Sequence, residues 1–225
     1  MEIINPLNKK LNILRGAEGE INSEAIEIFR SLDDKFKRYD WYIGLSPMGS
    51  TARGYVVNGS DIDCKLVYDS PKISRSEVIK TVKLVSGETE RSHGLRAGHI
   101  SVAYITEFNP DKIRKGLLSV GQEYTNSVLT IRDLSGIVIG KTPEKYRDIV
   151  RGILANLSTE DRQRFTDQIV EFIITEERLA EQKLAQRTRM SQQKLTELWE
   201  NRRKLWIKRI NAIWFIGLSS NQKIR

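Results

Sequence analysis

Apolar residues first recur at helical spacing between residues 23 and about 39. Ala25, Ile26, Ile28, Phe29, Leu32 and Phe36 form one stripe there, and Asn22 or Ser23 can cap its start. The pattern then changes to a short continuous apolar run at residues 41–45, which reads as a strand. A second strand follows the Gly/Ser-rich interval, with Asp61 and Asp63 on one face and Ile62 and Cys64 on the other, because side chains two apart in a strand point the same way. Helical spacing returns over residues 74–85 through Val78, Ile79, Val82 and Val85. Gly94, Ala97 and Gly98 interrupt the next stretch, which predicts two strands, residues 88–95 and 99–108, joined by a tight turn. The second sets His99, Ser101, Ala103 and Ile105 against Ile100, Val102 and Tyr104.

Helical patterns dominate from residue 109 on. Asn109 and Pro110 suit the cap and first position of a helix with Ile113, Leu117 and Leu118 on its apolar side. A helical or mixed stretch is predicted over residues 123–134, and the apolar run 135–140, bounded by glycines, reads as a last strand. Pro143 opens a helix to about residue 157, and Ser158 with Asp161 resembles a capping box at the start of the next. No proline and, until Gly217, no glycine interrupts the chain from residue 159 to about 218, which predicts two or three helices, one of them long. Ile169, Val170, Phe172, Ile173 and Ile174 mark a buried segment. Leu195, Leu198, Trp199, Leu205, Trp206, Ile210, Ile213 and Trp214 recur at helical spacing. The fold class expected is α/β (α+β): a mixed sheet with flanking helices over residues 1–141, then a helical domain over residues 142–225. Residues 1–19 carry little periodicity and predict an arm or a short irregular helix.

Composition narrows the class. A chain of 225 residues with 39% hydrophobic and 29% charged residues has the balance of a soluble globular protein. It has no N-terminal signal pattern and no apolar run long enough to span a bilayer, so no membrane partner and a cytoplasmic setting are expected. One cysteine, Cys64, excludes an internal disulfide and a cysteine-rich zinc site, and its place in a central strand predicts a buried structural thiol. The net charge of +8 favours polyanionic partners.

The chemistry concentrates between residues 41 and 69. Met48, Gly49 and Ser50 are followed by ten residues and then by Asp61-Ile62-Asp63-Cys64. Two neighbouring carboxylates repel each other unless a cation holds them, and hard divalent cations take carboxylates together with substrate phosphates. A Gly-Ser turn opening a helix suits a phosphate, since backbone N–H groups can point at the anion. The whole pattern resembles the short motif of the nucleotidyltransferase superfamily related to DNA polymerase beta. That resemblance implies transfer of a nucleoside monophosphate from an NTP to a hydroxyl, with release of pyrophosphate. By the same resemblance, Asp61 and Asp63 hold Mg²⁺ (or Mn²⁺), Gly49 and Ser50 grip the triphosphate of ATP or another NTP, and Arg53 pairs with it.

Members of that superfamily place a third carboxylate on the strand predicted at residues 99–108, where this chain has Ser101 flanked by His99. Glu88, Glu90 or Glu107 could supply the missing charge if folding brings one near, or His99 could act as the base. A nucleotide- or RNA-binding module with the same fold and impaired catalysis is the alternative expectation. For the acceptor, RNA, particularly a tRNA end, suits the basic residues Lys183, Arg187, Arg189, Lys194, Arg202, Arg203, Lys204, Lys208 and Arg209, with Trp199 or Trp206 as stacking platforms. A plain solvated helix face explains the same charges, and packing explains the same tryptophans. A small molecule or protein hydroxyl is a further alternative acceptor, and a helix-mediated oligomer or protein partner a third class of function. Both histidines, His93 and His99, lie outside the C-terminal half, which argues against a ribonuclease activity of Arg-to-His type there.

Overall fold

The computed structural model describes residues 23–48, 61–137, 139–188 and 192–215; the side chains at 23–26, 176–192, 194, 195, 198 and 202 are not described. The architecture is mixed α/β, a four-stranded mixed sheet with flanking helices. Elements run in the order α1 (Ser23–Phe36), β1 (Tyr42–Pro47), β2 (Ile62–Asp69), a 3-10 turn (Ser70–Lys72), α2 (Arg75–Ser92), β3 (Ile100–Phe108), α3 (Pro110–Leu117), α4 (Gln122–Ser135), β4 (Ile139–Gly140), α5 (Pro143–Leu154), α6 (Thr159–Thr188) and α7 (Gln192–Trp214).

The described chain falls into two compact units. One takes the described residues of Met1–Asn109 with Gly136–Tyr146, and the other takes Pro110–Ser135 with those of Arg147–Arg225. Helices α3 and α4, which precede residue 141, therefore belong with the later helices, and β4 returns to the sheet.

In the first unit the strand order is β3-β2-β1-β4. β1 runs antiparallel to β2 and to β4, while β2 and β3 are parallel and joined by the crossover helix α2. One face of β2 supplies the core: Ile62, Cys64, Leu66 and Tyr68 pack with Ile28, Phe29, Leu32 and Phe36 of α1 and Val78, Val82 and Val85 of α2. Each such side chain fully withdrawn from water contributes roughly 1.5–3 kcal/mol. Burial also pushes the Cys64 thiol up to about 12, which keeps it in the unreactive protonated form. Gly140 has a specific reason: a Cβ there would collide with the carbonyl of Ile43, so only glycine lets β4 approach β1 this closely.

Two predictions for this unit are corrected. Residues 88–92 are not a strand but the last turns of α2, whose buried Val85, Ser86, Thr89 and Glu90 continue the helical stripe. The helix starts in a capping box between Ser74 and Glu77 and stops at Gly94, whose φ of 64° lets Leu95 N–H reach back to the Glu90 carbonyl at 2.8 Å. On β3 the alternation breaks. Cys64 pairs with Val102 but Lys65 with Tyr104, leaving Ala103 as the extra residue of a bulge. Beyond it the faces exchange, so Ile105 joins Ile100 and Val102 against the core instead of opposing them.

In the second unit α6 and α7 pack together through Phe165, Ile169, Val170 and Ile174 on one and Trp206, Ile210 and Trp214 on the other, all buried. Ser158 Oγ accepts Asp161 N–H at 3.0 Å and so caps α6. Trp214 Nε1–H donates to Ser135 Oγ at 3.0 Å, and Arg164 lays its guanidinium 4.2 Å from the Tyr124 ring centroid.

Candidate functional site

Asp61 and Asp63 stand where β2 begins. Met48 N–H donates to the carbonyl of Asp63 at 2.9 Å, which extends the β1–β2 pairing to the residue immediately before Gly49. On its other side β2 is fixed by Ile62 N–H, which donates to the His99 carbonyl at 2.8 Å, and by the pairing of Asp63 with Ser101. Backbone hydrogen bonds thus bring Met48, Asp61, Asp63, His99 and Ser101 to one end of the sheet. Gly49, Ser50 and Arg53 lie outside the described residues.

The two carboxylates have different surroundings. Asp61 is half exposed; Arg96 donates to its Oδ1 at 2.8 Å, and His99 Nδ1 stands 3.9 Å from the same oxygen. Asp63 is withdrawn further. Its carboxyl is raised above the ordinary value by desolvation, with the Ser101 hydroxyl bonding the anion and opposing the shift, and the charge of Asp61 adding to it. Two residues along the same face, Lys65 is buried with its ammonium 5.5 Å from the ring centroid of the exposed Tyr104.

None of Glu88, Glu90 and Glu107 stands in for a third acid. Glu90 is buried and spends its carboxylate on the N–H of Ile100, at 2.9 Å. Glu88 sits on α2 where its charge acts on Lys35. Glu107 pairs with Tyr68, six residues along β3 from Ser101 and so roughly 20 Å away along the strand. Among the described residues no three His, Cys, Asp or Glu side chains gather as a metal site. The donor set still suits one hard cation. Two carboxylates, one of them disfavoured as an anion partly by the other's charge, would be relieved by a divalent ion, which takes one or two carboxylates together with phosphate oxygens. It does not suit two cations held side by side, because Ser101 brings no charge.

Arg96 has no mark in the sequence beyond its place between Gly94 and Gly98, a spacing that signals a turn but not its target. Glu90, a candidate third acid on a predicted strand, is instead a buried helical residue bonded to Ile100.

Of the basic residues named in the C-terminal half, Lys204 and Lys208 are exposed. Arg203 pairs with Glu171 at 3.0 Å, and the Arg209 guanidinium lies 5.3 Å from the Trp206 ring centroid. Lys183, Arg187, Arg189, Lys194 and Arg202 have no described side chains. Trp206 is buried and so cannot serve as an open stacking platform, while Trp199 is only partly covered.

Comparison with protein-family models, with curated proteins and with solved structures found no match. Among the described residues no helix is long and apolar enough to cross a membrane.

Proposed function

We propose that the first unit is a nucleotidyltransferase-like domain and that its Asp61–Asp63 end binds an NTP with a divalent cation. The observation that carries this reading is the hydrogen bond from Met48 N–H to the Asp63 carbonyl, which puts the chain entering Gly49-Ser50 directly beside the second aspartate. Met48, the first residue of the motif, is thereby paired with the strand that carries both aspartates. In this reading Asp61 and Asp63 hold Mg²⁺, and Gly49, Ser50 and Arg53 take the triphosphate. Bound there, the cation would neutralise phosphate charge and make pyrophosphate a better leaving group. Ser101 orients Asp63 through its hydroxyl, and His99, with Nδ1 3.9 Å from Asp61, is the group assigned to accept a proton from an attacking hydroxyl. The net charge of +8 favours RNA as the acceptor over a cationic small molecule.

A specific observation supports a second reading. Ser101 occupies the position opposite Asp63, and no described carboxylate joins the pair, which suits a module that binds nucleotide or RNA and turns over slowly or not at all.

Incubating the protein with α-labelled ATP, CTP, GTP and UTP, Mg²⁺ or Mn²⁺ and total small RNA separates the two. Transfer of one labelled nucleotide to RNA, abolished by Asp61→Ala with Asp63→Ala, is the expected result. Label entering protein would identify a protein hydroxyl as acceptor. NTP binding without transfer under any condition would establish the binding module.

A further inference from the structure

Among the described residues, the one facing Asp61 most closely is one the motif does not contain. Arg96 stands at the apex of the short loop from Gly94 to Gly98, and its guanidinium donates to Asp61 Oδ1 at 2.8 Å. The loop is anchored at both ends by one side chain and its backbone: the Glu90 carbonyl accepts Leu95 N–H at 2.8 Å, and the Glu90 carboxylate accepts Ile100 N–H at 2.9 Å. Burying a carboxylate is expensive unless its bonds are well made, and here those bonds define where the loop leaves α2 and enters β3. Gly94 and Gly98 have φ of 64° and 77°, and a Cβ on either would meet nothing within 4 Å, so glycine is needed for backbone conformation and not for space.

The ion pair itself contributes little to holding the fold. Arg96 and Asp61 are 69% and 50% exposed, and pairs this open to water are weak. Its significance lies in position: a guanidinium occupies the carboxylate that a divalent cation would take, and its planar fork matches phosphate oxygens at least as well as carboxylate oxygens.

Building on the reading of this end as a cation and NTP site, we infer that Arg96 is a phosphate-binding residue that exchanges partners. It neutralises Asp61 when no cation is bound and moves to the triphosphate when a divalent cation takes Asp61. The exchange keeps Asp61 neutralised throughout and brings a positive group to the phosphates only once the metal has arrived.

The distinctive consequence is opposite effects of one substitution on two ligands. In the full chain, Arg96→Gln should bind Mn²⁺, measured by electron paramagnetic resonance, about two- to fivefold tighter, since the competitor is gone. It should bind fluorescently labelled α,β-methylene-ATP with Mg²⁺ about tenfold weaker or more, since a charge-assisted bond to phosphate is lost. Arg96→Lys, with charge but no fork, should fall between. An Arg96→Gln protein that matches wild type in both titrations, or weakens both together, overturns the inference and leaves Arg96 a surface residue with a structural role. Mn²⁺ binding equally to wild type and to the Asp61→Asn/Asp63→Asn protein would instead remove the metal site and the proposed function with it. Circular dichroism of each variant checks that the exposed substitution leaves the fold intact.

Discussion

Asp33 and Asp63 are both drawn away from water beside the same sheet, yet their surroundings differ in kind. Asp33 is fully buried, and the chain supplies what its charge needs: Tyr42 Oη–H donates at 2.7 Å, and Lys37, just past the end of α1, pairs with it. The cost is visible on the partners. Burial and then the charge of Asp33 hold the Tyr42 phenol well above its usual range, and the hydrogen bond to Asp33 raises Lys37. Around Asp63 the balance runs the other way. Desolvation and the charge of Asp61 outweigh the Ser101 hydrogen bond, and the carboxyl itself is raised above its ordinary value. A carboxylate that the fold satisfies is structural; one that the fold leaves raised is where an added cation has most to gain.

The contrast can be broken from either side. The largest effect is expected at the structural carboxylate: Asp33→Ala should lower unfolding stability by about 2–4 kcal/mol in a urea titration, because the buried Tyr42 hydroxyl loses its acceptor and a cavity opens. A loss under about 1 kcal/mol would mean that Asp33 is not the satisfied charge described here. Tyr42→Phe keeps the ring stacked on Phe36 and removes one donor to Asp33, so about 1–2 kcal/mol is expected.

Asp63→Asn should behave oppositely. A carboxyl raised in the folded state makes the native protein bind its proton more tightly than the unfolded chain. Stability is therefore unpenalised below the ordinary Asp value of 3.8 and is lost as pH rises from there through the raised folded value. Asparagine has no such penalty. The variant should match wild type at low pH and be slightly more stable at neutral pH without divalent cation, and saturating Mg²⁺ should reverse the order. Denaturation at several pH values, with and without Mg²⁺, gives the sign directly.

Much of this arrangement is legible in sequence. Period-two alternation puts Ile62 and Cys64 on the core face and Asp63 on the other, and the stripes of α1, α6 and α7 are written in apolar side chains at helical spacing. The glycine-bounded run ending at Gly140 pairs with β1, though only Ile139–Gly140 is strand. What escaped depends on contacts distant in sequence. Residues 88–92 look strand-like because Thr89 and the charges around it hide a helical period, and only Lys35, which donates to Thr89 Oγ1 at 3.1 Å, and the backbone of Ile100 reveal what the last turn of α2 is for. The bulge at Ala103 has no local mark, because the residue left over is decided by pairing with β2. Arg96 is invisible for the same reason: its partner is 35 positions away. The motif residues Gly49, Ser50 and Arg53, whose roles the resemblance implies, lie outside the described residues.

The most direct test is carboxyl-detected NMR of protein labelled at aspartate, titrated from pH 3 to about pH 8 with and without saturating Mg²⁺. Asp63 should titrate above the ordinary Asp value without Mg²⁺ and be driven down by the cation, which favours the anion. An Asp63 curve indifferent to Mg²⁺ would contradict this account of the site.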